Sequence, residues 1–323
     1  MRALTTCFAA ATLLVTASPA LAQNQSTGER VLRGVLQGLL GPEEAPEQEE
    51  VQPEVQQPQP VPEAPPVVLT PAQHMQQVLA SPHRAEDAPR DRYRHPAETL
   101  DFFRVEPGMT VADFMPATGW YTRVLVPYLS NEGTYIGVDP WLNSKFGGYW
   151  DTYRETPTRL PSQVAQWVPQ GGARVLGVIT DNVPEELQGT IDRFLIFREV
   201  HNMRRFGWFH EVAMTARSML KDDGLLGVVQ HRARRNAPVD ETFGDKGYQQ
   251  EEDVIALFEL HGFEFVGSSP VNNNRADPSD FEVGVWALPP NFVGTPESDE
   301  DRRAYLRAIG ESDRMTLLFR KRR

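Results

Sequence analysis

A chain of 323 residues with a formal charge of −12 at pH 7 lacks the basic surface that general nucleic-acid binding requires. Its one cysteine, Cys7, excludes a disulfide framework within the chain and any cysteine-built zinc site. About 250 residues beyond the N-terminal segments suit one α/β domain.

The N-terminus carries three signals in order. Arg2 is positive, Ala9 to Val15 form a short apolar run, and Ala20-Leu21-Ala22 sets small residues before Gln23. That is the pattern of a secretory signal peptide over residues 1–22, too short for a membrane anchor. The expected mature protein is exported, periplasmic where the cell has an outer membrane and otherwise secreted. No later stretch offers the ~18 uninterrupted apolar residues of a spanning helix.

Residues 23–69 are expected to lack a fold of their own. Within them, "ERVLRGVLQGLLG" places Val31, Leu32, Val35, Leu36, Leu39 and Leu40 at helical spacing, a short helix over 29–40. It is either a weakly helical terminus or a docking helix for an envelope partner or membrane surface, weakened by Gly34 and Gly38. Residues 41–66 hold seven Glu and no Lys or Arg among many Pro and Gln. Such a segment buries too little apolar surface to offset its ordering entropy and reads as an extended, polyproline-leaning linker.

From residue 70 the pattern becomes regular. Helices are predicted over 71–80 and 96–104, each opened by proline. The charged stretch 81–96 between them is either a solvated connector or a lid over a ligand. Strands follow at 109–114, 133–139, 173–179, 191–197, 225–230, 263–271 and 314–321. Helices are predicted at 119–130, 157–168, 207–220 and 250–262, with a helical piece at 183–188. In the helix at 207–220, Phe209, Val212, Ala213, Ala216, Met219 and Leu220 keep the 3.6-residue period, and "KDDG" turns the chain after it. This alternation implies an α/β fold, Rossmann-like, with a mostly parallel seven-stranded sheet and an antiparallel edge hairpin. The insertion at 271–313, with a helix near Asp301–Ile309, reads as a cap rather than a plain turn.

Ligands of open α/β sheets bind beyond the carboxyl ends of the strands, and ionisable residues collect there. Asp113 closes the first strand before the turn "FMPATGWYT", Asp139 closes the second, and Asp181 follows the third. Glu199, His201 and Asn202 follow the fourth; His231 and Arg232 end the fifth. An acid ending the second strand can accept both hydroxyls of a ribose, and a helix N-terminus offers N–H groups to a carboxylate. The pair suits a nucleoside with an amino-acid tail. The dinucleotide fingerprint G-x-G-x-x-G is absent.

Six segments in order carry a resemblance: "RDRYRHPAETLDFF" (90–103), "EPGMTVADFMPATGWYTRVLVPYL" (106–129), "FREVHNM" (197–203), "GVVQHRA" (227–233), "DPSDFEVGVWALPP" (277–290) and "IGESDRMTLLFRK" (309–321). Over about residues 80–323 the chain resembles the exported class I S-adenosylmethionine-dependent methyltransferase family of bacteria. The resemblance implies S-adenosylmethionine as cofactor, with contacts at Asp113, Pro116, Ala117, Gly119, Trp120, Tyr121, Asp139, Asp181 and Glu199. Against the wider pattern D-x-G-x-G-x-G, Met115 and Ala117 replace the first two glycines. An alanine at positive φ there costs on the order of 1 kcal/mol, and at negative φ the penalty shrinks.

His201 and His231 are candidates for a general base toward a small or envelope-associated acceptor, with Asn202 and Arg232 as candidate substrate contacts. The plainer reading has these side chains bonding loop backbone. No His, Asp and Glu spacing argues for a metal. Two function classes stay open: methyl transfer, and a non-catalytic nucleoside or small-molecule binding module of the same fold.

Overall fold

The computed structural model describes residues 69–143 and 145–323. The expectations for residues 1–22, and for the helix and linker between 23 and 68, lie outside the described residues. Thr70 opens the fold with a capping box: its side chain accepts from the Gln73 N–H, and Gln73 reaches back to the Thr70 N–H. Helix α1 (Pro71–Leu79) follows, then α2 (Asp91–Arg94) and α3 (Pro96–Phe102).

Strand β1 (Thr110–Phe114) leads to α4 (Thr122–Leu129), and β2 (Thr134–Asp139) leads to α5 (Asp151–Arg154) and α6 (Thr156–Trp167). Then come β3 (Arg174–Ile179), β4 (Ile191–Phe197), α7 (Val200–Phe206) and α8 (Phe209–Met219). The chain ends with β5 (Leu220–His231), α9 (Val239–Thr242), α10 (Glu251–Leu260), β6 (Phe263–Ser269), α11 (Glu300–Ile309) and β7 (Arg314–Lys321).

The strands form one sheet in the order β3-β2-β1-β4-β5-β7-β6. β1 to β5 are parallel, and β7 runs antiparallel to both β5 and β6. This is the expected α/β sheet with its antiparallel edge pair; β7 lies inside the pair and β6 forms the edge. Successive side chains of a strand point to opposite faces, and the two cores divide accordingly. Val111 and Leu195 meet α3 and α4 residues such as Leu100, Val124 and Leu125. Ala112, Phe194 and Ile196 meet α7, α8 and α10 residues such as Met203, Val212 and Phe258.

Three expectations need correction. The helix predicted over 207–220 is preceded by a separate helix, α7, because Gly207 adopts φ 77° and caps it. "KDDG" does not end a helix and turn: Leu220 already pairs with Ile191, and pairing resumes at Leu225 with Arg193. The intervening residues bulge, and Lys221 reaches Asp192 at 2.6 Å. The stretch 81–96 is no solvated connector. Arg84 and Arg94 are buried, the first paired with Asp91 and the second with Glu311.

The insertion at 271–313 carries a small core of Phe281, Ala287, Leu288, Leu306 and Ile309. Asn272 ties it to the sheet and to α3 by donating to Thr316 at 2.9 Å and to Thr99 at 3.0 Å.

Candidate functional site

The sheet order reverses between β1 and β4, so the crevice beyond their carboxyl ends is the topological place for a ligand. The turn leaving β1 is built from alternating left-handed residues: Met115 and Ala117 both at φ 50°, Gly119 at φ 77°. Met115 and Ala117 therefore hold the conformation that glycine adopts freely. Met115 is buried in the core, whereas Ala117 is exposed. A Cβ on Gly119 would collide with the Trp167 ring, so this glycine answers to packing as well as to φ.

Asp139 ends β2 and is 2% exposed. Its Oδ2 accepts the Thr156 hydroxyl from the start of α6, while its Oδ1 is buried without a hydrogen-bond partner. Burial pushes the Asp139 carboxyl up to about 7, against the Thr156 hydrogen bond and the Arg159 charge. A cleft of ≈ 400 Å³ opens beside it, walled by Pro116, Ala117, Thr118, Tyr153, Arg159, Gln163 and Trp167 among others. Its size falls within the ~300–1,000 Å³ of small-molecule sites.

Asp113 lies behind this cleft. Its Oδ2 accepts from the Tyr135 hydroxyl at 2.9 Å, and Tyr135 meets the Thr122 hydroxyl at 2.8 Å. Burial raises Asp113 to about 7. The arrangement holds the first turn of α4 against β2, so Asp113 positions the turn. Trp120 and Tyr121 are buried too. Arg94 lies over the Trp120 ring at 4.6 Å, and Tyr121 stacks on Phe197 at 3.5 Å and 8°. Asp181 is exposed at the end of β3 and is not among the residues walling the cleft; its neighbour Thr180 is buried and bonds Glu211.

The remaining candidates gather beyond β4 and β5. Glu199 is half-buried, is raised to about 7 by burial, and accepts from Asn202 at 2.8 Å. The His201 and His231 rings lie 5.9 Å apart, with Trp286 of the insertion 5.9 Å from His201. The Gln230 amide donates to His201 Nδ1 at 3.4 Å, and His231 Nδ1 meets Ser312 Oγ at 2.5 Å. Burial lowers His201 to about 4 and holds His231 well below the usual range. Both rings are neutral at pH 7.

Arg232 does not present an open fork. It bonds Glu251 at 2.7 Å, Asp313 at 2.9 Å and Asn273 at 2.8 Å. These partners take its Nε and Nη1.

Sequence reasoning passed over Tyr153, Arg159 and Trp167, which wall the cleft from the segment after β2, and over the buried Thr156, which bonds Asp139. Their common signal was position: all follow an acid-ended second strand. Among the described residues no group of three or more His, Cys, Asp or Glu is arranged to hold a metal, and no helix is long and apolar enough to cross a membrane.

No family model and no curated protein matches the chain. Among solved structures it is similar to a SAM-dependent methyltransferase from Aquifex aeolicus, with 16% identity and a TM-score of 0.42 over 64% of this chain and 94% of that one. It is also similar to 1,6-didemethyltoxoflavin-N1-methyltransferase from Burkholderia thailandensis, solved with 1,6-didemethyltoxoflavin and S-adenosylhomocysteine, with 12% identity, TM-score 0.42 and coverage of 80% and 94%. A third is the YcgJ protein from Bacillus subtilis, with 13% identity, TM-score 0.42 and coverage of 71% and 99%. At these identities the likeness is one of chain path.

Proposed function

We propose that the chain transfers a methyl group from S-adenosylmethionine to a small or envelope-associated acceptor after export from the cytoplasm. The observation that carries this reading is the unpartnered, buried Oδ1 of Asp139 on a residue that lines the cleft beside the β1 turn. A buried acceptor without a donor costs on the order of 1–3 kcal/mol, and the paired hydroxyls of a ribose would satisfy it. The resemblance at residues 80–323 and the ionisable residues at the strand ends support the same reading.

S-adenosylmethionine supplies an electrophilic methyl group on a sulfonium. Asp139 would hold the ribose, the N–H groups at the start of α4 would face the amino-acid tail, and Tyr153 and Trp167 would flank the nucleoside. Transfer itself needs alignment of two reactants and exclusion of water. His231, neutral at pH 7, offers its Nε2 as an acceptor to an incoming hydroxyl or amine when its Nδ1–H donates to Ser312, whereas His201, whose Nδ1 accepts from Gln230, presents Nε2–H as a donor. Glu199, poised near neutrality, stands beside them as an alternative proton acceptor.

Calorimetry with S-adenosylhomocysteine tests the cofactor. Binding is expected, and Asp139→Asn should weaken it by roughly tenfold or more, the value of a charged hydrogen bond. Affinity should also fall with acid. Below about 7 Asp139 carries a proton, and a protonated carboxyl no longer accepts from both hydroxyls. A flat affinity between pH 8 and 5.5 would count against this role.

A second reading has one observation in its favour. The strained Ala117 and the Trp167 ring seated against Gly119 narrow the approach to the turn. Binding of a nucleoside without methyl transfer to any acceptor would make the chain a binding module.

A further inference from the structure

The region beyond β4 and β7 is crowded with guanidinium groups. Arg94 and Arg314 are 2% and 3% exposed, and each keeps one nitrogen without a partner, Arg94 Nη1 and Arg314 Nε. Both share the carboxylate of Glu311, as does Arg90. Arg84 is taken by Asp91, and Arg232 by Glu251 and Asp313.

Arg198 differs from all of these. Among the described residues its half-buried side chain has no ion pair and no hydrogen bond. It is the first residue past β4 and sits at φ 64°, with its N–H bound to Val229 O at 2.6 Å. A left-handed non-glycine residue costs about 1–2 kcal/mol, and such strain persists where the surroundings impose it. Phe197, just before it, stacks on Tyr121, whose hydroxyl donates to Arg94 O at 3.5 Å. Arg198 therefore stands at the crevice between β1 and β4, with Asp113, Glu199, His201, His231, Arg94, Arg314 and Glu311 as its charged and titratable surroundings.

We propose that Arg198 anchors a ligand carboxylate at the β1/β4 crevice, backed by the buried charges of Arg94 and Arg314. A single free guanidinium fork matches the two oxygens of a carboxylate, and the neighbouring arginines leave an excess of positive charge for it to offset. The inference deepens the methyl-transfer reading and rests on it for the source of the carboxylate. Two molecules in that reaction can bring one: the amino-acid tail of the donor, or the acceptor.

The full chain, Arg198→Gln and Arg198→Lys are titrated with S-adenosylhomocysteine, with methylthioadenosine, which is a nucleoside without the carboxylate, and with benzoate as a plain carboxylate probe. If the donor tail is held, Arg198→Gln weakens S-adenosylhomocysteine by roughly ten- to hundredfold and leaves methylthioadenosine unchanged. If the acceptor is held, both nucleosides are unchanged and benzoate binding is lost. Arg198→Lys keeps the charge without the fork, so it should recover only part of either effect. The proposal is overturned if Arg198→Gln binds all three like the parent, or if it weakens all three equally, as a structural role would. A parent chain that takes up neither nucleoside removes the methyl-transfer reading, and the benzoate arm alone then decides the anchor.

Discussion

Ala117 is exposed and left-handed, so its methyl group strains the backbone and gains little by burial. Ala117→Gly should therefore stabilise the protein by about 1 kcal/mol, read as a higher denaturation midpoint at unchanged slope. The same change opens the wall of the cleft, and nucleoside affinity should rise with it. A loss of stability would mean that the turn is held in another conformation. Met115 shares the φ but not the expectation, because its side chain is part of the core. At this scale the sequence was partly legible. The spacing of Asp139 from β1 marked it correctly as the acid ending β2. That Asp113 turns inward to Tyr135 depends on a tyrosine in the neighbouring strand, and no local pattern reveals it. Arg198 and Arg232 look alike in sequence; only the folded chain distinguishes the engaged one from the open one.

Helix α6 is the element that shapes the cleft. It approaches the sheet so closely that a Cβ on Gly177 would collide with the Thr156 carbonyl, and one on Gly137 with Leu160. Gly177→Ala should cost about 1–3 kcal/mol, the usual penalty for overpacking. Because Thr156 holds Asp139, it should also weaken nucleoside binding. Thermal unfolding and calorimetry on one variant check both effects, and an unshifted midpoint would show that the helix can retreat freely. The seven strands were legible because each is a short apolar run between helical periods. The short helices α2, α5 and α9 were not, since four residues complete barely one turn and leave no period to detect. The division between α7 and α8 depended on the positive φ of Gly207, which a lone glycine in a helical pattern signals only weakly.

For the whole molecule, the proposed export sets a condition: an exported chain without disulfides depends on its packed core. Protein recovered from the cell envelope should begin at Gln23, as read by N-terminal sequencing, and intact Met1 on the mature protein would refute the processing. The insertion at 271–313 packs Trp286 near His201 of α7, bonds His231 at the end of β5 through Ser312, and accepts from Arg94 of α2 through Glu311.

Glu311 gives that arrangement an all-or-none character. Burial alone would raise its carboxyl, yet the Arg94, Arg314 and Arg90 guanidinium groups bring it down to about 2. Residues from opposite ends of the chain thus converge on one negative charge, as stones lean on a keystone. With that charge withdrawn, the buried Arg94 and Arg314 would confront one another with little water to screen them, and the partly exposed Arg90 would add to the repulsion. The early segment and the late one would then be driven apart together, so neither can loosen without releasing the other.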